Sequence, residues 1–517
     1  MKAVMIPWLV IALALSPLAQ DGPGDPLEWK SFRSVLNLLH DREFDRALPE
    51  LERFTGSRVP EIAARAHIEL GVYYLDRKPE PERALPYLNE VAKNPKYLPF
   101  AATWSQAAYR VGQIKLSRAA TREQLQDAQA DFDRVYRTYP DTGVSADALF
   151  ASARVAERLQ DYDGAMDKYQ RIRGEYGNSR STPQAIYNLA RHVVLKGDTK
   201  AGLLYLQEIR TRFPDGEHAK RALAALNGLY RFYRRTLAPE GSPNPYGAPA
   251  EVIISDVKEL ADPYSMLIND ADDLFLVDRL KKLAFKFQSN GRVTQTLPLT
   301  EPAALALGPD GALYAAERDT VRKLQAKNPP TWRLTYVDGK GETRPVRRIG
   351  ALAVSSVGDF YAVDPEARAV FKYSAVQKRG ELFPPQQNLR TVQELIVDAL
   401  DNVYLLDEKE GRVLIYSALG EPLGQVVVGG GGRAGGPAGG PVAMAIGGLN
   451  HLYVLDRGGA FQVYELRYKP PRTMDAKLVT RAAFSGRFKE APQTIAVSAQ
   501  GRVFVTAKKT GTVLMFR

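Results

Sequence analysis

Along the first half of the chain, small and bulky apolar residues alternate with polar ones at helical spacing. Ala47, Ala84, Ala128, Ala165 and Ala201 follow one another at intervals of 37, 44, 37 and 36 residues. Four positions after each stands a large apolar side chain: Leu51, Leu88, Phe132, Tyr169 and Tyr205. A small residue with a bulky one at i+4 lets a helix approach its neighbour closely and fill the space beside it. Asn94-Pro95, Tyr139-Pro140, Tyr176-Gly177 and Phe213-Pro214 supply repeated stop signals, since Pro and Gly end helices. A second amphipathic stretch precedes each Ala helix, as in Ala64–Leu75 and Ala146–Leu159. The pattern predicts about five helix pairs over residues 27–237, with Glu217–Leu237 as a closing helix.

The periodicity then changes. Ala238–Ala250 holds Pro239, Gly241, Pro243, Pro245, Gly247 and Pro249, a density that sustains neither helix nor strand and marks a linker over 238–250. Beyond it, six units share one register. With Phe275, Tyr314, Tyr361, Tyr404, Tyr453 and Phe504 as origins, the turn formers Asp272, Gly311, Gly358, Asp401, Asn450 and Gly501 stand three residues earlier. Apolar residues stand seven and nine positions earlier, from Ile268 and Met266 in the first unit to Val497 and Ile495 in the last. Asp278, Glu317, Asp364, Asp407 and Asp456 stand three residues later, with Ala507 the exception. Strand, tight turn, strand, acidic turn and strand, repeated every 39 to 51 residues, predict a six-bladed β-propeller over residues 251–517. Ala306, Ala353, Ala445 and Ala496 are the small residues that crowded innermost strands favour. The last unit ends after its third strand, so Glu251–Val257 is expected to supply that blade's outer strand and spare it an unpaired edge.

Both halves resemble known families. Leu70-Gly71-Val72-Tyr73-Tyr74 matches the Leu-Gly-x-x-Tyr element of the tetratricopeptide family. The resemblance covers about residues 28–215, although the repeats exceed that family's length and only one keeps the element intact. The aromatic-Pro endings are similar to those of periplasmic envelope-assembly and cell-division-coordinating proteins. The second half resembles the NHL-repeat propellers, whose blades combine apolar residues, a glycine turn, an aromatic and an Asp. The expected fold is therefore multidomain, an α-helical solenoid followed by an all-β propeller. Protein or peptide partners are what such a combination implies.

Composition narrows the function classes. The 517 residues contain no cysteine, which excludes disulfides, zinc–thiolate sites and a thiol nucleophile. The net charge of +11 is spread evenly. Residues 251–517 hold 35 Lys and Arg against 29 Asp and Glu, leaving 35 against 30 before them. Without a basic run this argues for solubility and against nucleic-acid binding. Met1-Lys2, the apolar stretch Ala3–Leu15 and the small-residue exit to Gln20 read as a signal peptide over 1–20, hence a periplasmic or secreted protein.

The candidate chemistry is sparse. The recurrent acids read as turn-capping residues that accept backbone amides and pair with a following base, as Asp364 with Arg368 or Asp407 with Arg412. His451 is the single histidine of the propeller half, so no histidine metal set exists there; it is expected as an exposed turn residue. Gly429–Gly436 lacks the Gly-Lys-Ser/Thr ending of a phosphate loop, and Arg344–Arg348 reads as a solvated loop or edge strand. No catalytic residue, cofactor or metal site is predicted. One binding site is. Aligning Gly71 with Gly112, Ala153 and Ala190 places Gln113, Arg154 and Arg191 next in register, with Asn188 one turn away. In tetratricopeptide domains this position tends to face the concave groove, where guanidinium and amide groups can hold a peptide's carboxylate or carbonyls. The expected function is a non-catalytic exported adaptor, its groove and a propeller face each holding a partner or an envelope component. The alternative is a propeller lyase or hydrolase acting on an envelope polysaccharide or peptide.

Overall fold

The computed structural model describes residues 25–236, 245–246, 251–254, 260–288, 291–324, 329–384, 389, 392–428, 440–484, 486–507 and 512–517. The signal segment, most of the linker and Gly429–Gly436 lie outside them. Compactness divides the chain between Ser181 and Thr182.

The first unit contains α1 (Pro26–His40), α2 (Phe44–Phe54), α3 (Pro60–Val72), α4 (Pro81–Lys93), α5 (Ala101–Arg118), α6 (Arg122–Thr138), α7 (Ser145–Arg158) and α8 (Tyr162–Glu175). Each even helix packs on the odd helix before it, and successive odd helices touch, α3 with α5 and α5 with α7. Ala47, Ala84, Ala128 and Ala165 are buried together with Leu51, Leu88, Phe132 and Tyr169, as the small-then-large spacing requires. A Cβ on Gly71 would lie 2.6 Å from Leu88, and one on Gly112 would lie 2.7 Å from the Phe132 ring. The small position of each first helix therefore receives the bulky side chain of the second. Capping fixes the boundaries. Thr121 and Gln124 form a reciprocal capping box on α6, and Asp161 caps α8 through the Gly164 amide.

The second unit begins with α9 (Thr182–Leu195), α10 (Thr199–Arg212) and α11 (Glu217–Thr236). The register shifts here from the one expected. Gly202 and Leu206 are buried, whereas Ala201 and Tyr205 are half-buried. Gly202 lies 37 residues after Ala165, so the true repeat interval is kept and the alanine beside it misleads by one position.

Six sheets follow. Their innermost strands are Pro263–Ile268, Pro302–Leu307, Ala351–Val354, Val392–Val397, Pro441–Gly447 and Pro492–Val497. Each touches the next and the last touches the first, which closes a six-bladed β-propeller. Ala306, Ala353, Ala445 and Ala496 all fall on these strands. The six origin aromatics lie buried on second strands. Blade 6 is completed by Glu251–Ile254, which pairs antiparallel with Val513–Phe516; this is the expected closure, over the residues the structure describes. Blade 3 has six strands, because Thr335–Val337 and Thr343–Pro345 add a hairpin outside Arg379–Leu382. Thr343–Pro345 is exposed along its length, an edge strand in the basic segment. In blade 5, Ala460–Lys469 and Thr473–Ala483 extend as a long hairpin.

Candidate partner-binding sites

In the first unit, the packing of Gly71 and Gly112 against their second helices fixes which way each first helix faces. The next residue in each helix turns away from that contact. Gln113 stands there half-buried. Its Nε2 donates to the Tyr109 hydroxyl at 3.1 Å, and its Oε1 accepts from Arg110 at 3.2 Å. Arg110 also reaches back to Asp76 in the preceding repeat at 3.0 Å. Glu69, the register equivalent of Arg110, has its carboxyl pushed up to about 7 by burial, against the opposing pull of Arg65. One repeat later Asp147 accepts from Arg180 and from the Ser181 hydroxyl, each at 2.5 Å. Polar side chains thus bridge neighbouring repeats at 34 and 33 residues' separation.

Arg154 departs from its expected exposure. It is 9 % exposed and paired with the fully buried Glu157. Desolvation is tolerated because the opposite charge lies beside it.

Asn188 and Arg191 belong to the second unit and are also buried. Asn188 Oδ1 accepts from Gln184 and Arg191, both at 3.1 Å. The Arg191 guanidinium lies 5.5 Å from the Tyr187 ring, and Arg221 from α11 lies 4.5 Å from it. Leu449, in the turn after the inner strand of blade 5, packs among Ile186, Tyr187, Ala190 and Val194. The inner face of this repeat is therefore filled by the chain's own propeller. Spacing alone could not reveal that, because Leu449 is remote in sequence.

The same end of the propeller carries the turns between first and second strands. Asn269, Ser355, Asp398 and Ser498 accept amides four residues on, as turn residues with short polar side chains do. Asp272, Gly311, Gly358, Asp401 and Gly501 have positive φ, which these types tolerate. Neighbouring turns are stitched together: Arg502 pairs with Asp272 at 2.5 Å, and Ser356 donates to Asp401 from its amide and its hydroxyl. Blade 5 differs. Its positive φ falls on Gly448, and its second strand begins at His451. His451 is consequently buried and stacks on Phe232 of α11 at 4.2 Å, not exposed as expected. Burial drives its pKa down to about 3. Tyr246, from the linker, anchors nearby, bonding the Tyr453 hydroxyl at 3.0 Å and the Gly501 carbonyl at 2.8 Å.

The recurrent acids sit at the opposite ends of the second strands. Asp364 accepts from the amides of Arg347, Glu366 and Ala367 at 2.8–3.0 Å. Asp278 accepts from Ala261, Asp262 and Lys281. Glu317 accepts from Thr300 and pairs with Arg322. Asp407 pairs with Arg412 as expected, Asp456 with Arg481, and Asp364 has amides where Arg368 was expected. In blades 1 and 3 the acid ties the entry of the blade to the turn after its second strand.

The family model described as tetratricopeptide repeat matches residues 33–99 and 116–186. The helical array carries tetratricopeptide repeats. Tetratricopeptide arrays and propellers are both protein-interaction scaffolds in general. No curated protein matches the chain. Among solved structures, a streptogramin B lyase is 10% identical, covering 52% of this chain and 97% of its own, with a TM-score of 0.37. A virginiamycin B lyase from Staphylococcus aureus is 10% identical over 52% and 99%, at 0.36. Regucalcin, a calcium-binding protein from Agrobacterium tumefaciens, is 14% identical over 52% and 94%, at 0.37. At scores this low the likenesses carry no argument, and the six blades rest on strand pairing. Among the described residues, no group of three or more His, Asp and Glu side chains is placed to hold a metal ion. No described helix is long and apolar enough to cross a membrane.

Proposed function

We propose that this protein is an exported, non-catalytic scaffold whose tetratricopeptide wall holds an extended protein segment, while a propeller face holds a second partner or envelope component. The observation that supports it is the wall of α3, α5 and α7. There Glu69, Arg110, Gln113 and Asp147 place charged and amide groups in successive repeats. An extended peptide offers carbonyls and amides at regular intervals, and such a row answers them with charge-assisted hydrogen bonds. The apolar segment Ala3–Leu15 supports export; intact mass of protein from an envelope fraction should give an N-terminus between about Ser16 and Pro26.

The groove is tested by placing a photo-crosslinker at Gln113 or at the exposed Asp167 in full-length protein. A partner adduct from position 113 and none from 167 is expected. Adducts from both, or from neither, would refute the groove. Once the partner is captured, Gln113→Ala with Arg154→Ala should weaken its binding by about 1–3 kcal/mol. Because Arg154 is buried and paired, melting of the variant must be measured alongside.

A further inference from the structure

The end of the propeller away from α9 and α11 is formed by the turns after the second strands and the entries to the innermost strands. In blades 1, 2 and 3 that turn contains a base with a left-handed backbone: Lys282 at φ 54°, Arg318 at 53° and Arg368 at 52°. Blades 4 and 5 carry Gly411 and Gly459 there instead, at 63° and 83°. Glycine takes this conformation freely, whereas a residue with a Cβ loses stability in it. The turn itself therefore does not call for the bases.

Backbone bonds gather more of them. Asp364 accepts the amides of Arg347 and Ala367 at 2.8 and 2.9 Å, which sets Arg347 beside the Arg368 turn. The Ile349 amide donates to the Arg318 carbonyl at 2.5 Å, which sets Arg348 beside Arg318. Lys282, Arg318, Arg347, Arg348 and Arg368 are all exposed. None of them forms a side-chain hydrogen bond or ion pair among the described residues. The acids of these turns and entries do not cancel them. Asp262 pairs with Arg279 at 2.9 Å and Asp319 with Arg333 at 2.7 Å. Asp278, Glu317 and Asp364 lie buried, each holding backbone amides. Glu301 and Glu366 are exposed, so the exposed, unpaired side chains are five bases against two acids.

Leu280 stands 72 % exposed in the blade 1 turn, between Arg279 and Lys281-Lys282. A single exposed leucine is ordinary. In a basic turn it supplies what an interfacial surface needs, apolar area for the headgroup region beside cations drawn to anionic lipid. The arginines are spread over neighbouring turns, and no side chain orients them. They suit the diffuse charge of a lipid surface better than a single carboxylate, which an oriented guanidinium fork would grip.

We propose that this end of the propeller docks on an anionic lipid surface, the five bases at the headgroups and Leu280 inserted beside them. This gives the envelope component of the proposed function its chemistry, and it rests on that reading. Full-length protein is sedimented with sucrose-loaded vesicles of phosphatidylcholine, alone or mixed equally with phosphatidylglycerol. Any contribution from the apolar Ala3–Leu15 is common to both vesicles and every variant, so the difference between vesicles is the readout. The mixed vesicles should bind at least about tenfold more tightly, and high salt should erase the difference. Arg318→Gly with Arg368→Gly should weaken binding to the mixed vesicles about tenfold or more. Its melting temperature should not fall, because glycine suits both left-handed positions. Leu280→Ser should weaken that binding about fivefold. Equal binding to both vesicles, or unchanged binding in the arginine variant, would overturn the proposal. So would vesicle binding untouched by Leu280→Ser, which would leave this end as a surface for an acidic protein. The partner-holding role of this propeller end fails separately, if a photo-crosslinker at Leu280 in cells captures neither lipid nor protein.

Discussion

Replacing Asp364 with alanine tests whether the recurrent acids hold the blades together. Asp364 is 0 % exposed and accepts three backbone amides, from Arg347 before the blade and from Glu366 and Ala367 in its turn. A hydrogen bond to a charged group contributes about 1.5–3 kcal/mol by deletion. The three do not add fully, because Arg347 and Glu366 are exposed residues whose amides water can partly resolvate once the carboxylate is gone. About 2–4 kcal/mol of destabilisation is the consequence. For a domain of this size that corresponds to a fall in Tm of roughly 5–15 °C. Asp364→Asn keeps the shape and one acceptor and should fall about halfway. Thermal unfolding followed by infrared in the β-sheet amide band separates the propeller from the helices, whose separate melting would break a two-state treatment. Glu366→Ala is the control, expected within ~0.5 kcal/mol of wild type. If Asp364→Ala also stays within that margin, the acids are incidental to closure.

Gly112→Ala should destabilise the helical array by about 1–3 kcal/mol despite alanine's better helix propensity, because the new Cβ would meet the Phe132 ring at 2.7 Å; helix melting by circular dichroism checks it. Removing residues before Ala261 should lower the propeller's Tm relative to a chain starting at Ala248, since Glu251–Ile254 is the fourth strand of blade 6; equal melting temperatures would contradict that. Glu394 on the inner strand of blade 4 accepts the Met444 amide at 2.8 Å, and its carboxyl is pushed up to about 8 by burial. The folded state therefore holds a proton that the unfolded chain has lost, and stability should decline as pH rises from about 4.5 to 8; Glu394→Gln should flatten that decline in Tm against pH. His451, held neutral down to about 3, works in the other direction. Stability should fall as pH drops from about 6.5 towards 3, and His451→Phe, which keeps a ring against Phe232, should remove that loss in acid melting curves.

Periodic local information determined the helix pairs, the six blades and the closing strand. Each rests on a residue type that one local geometry demands: alanine or glycine where helices touch, turn formers before each second strand, an acid after it. Lys–Asp pairs recur in blades 1 to 3, Lys286 with Asp273, Lys323 with Asp310 and Lys372 with Asp359; those of blades 1 and 3 hold equivalent sequence positions, whereas both members of the blade 2 pair are displaced along the chain, so only the structure shows the three as one kind. The groove residues show where such information stops. Register placed Gln113, Arg154 and Arg191 in equivalent positions, but exposure depends on what else packs there. Glu157 covers the charge of Arg154, and Leu449 fills the face beside Arg191. His451 likewise followed its blade's pattern until Gly448 moved the turn and Phe232 closed over it. Sequence period fixes how a residue points within its own repeat. The Arg154–Glu157 pair is local, three residues apart on one helix, but what covers Arg191 and His451 is decided by contacts between residues hundreds of positions apart, which no local pattern encodes.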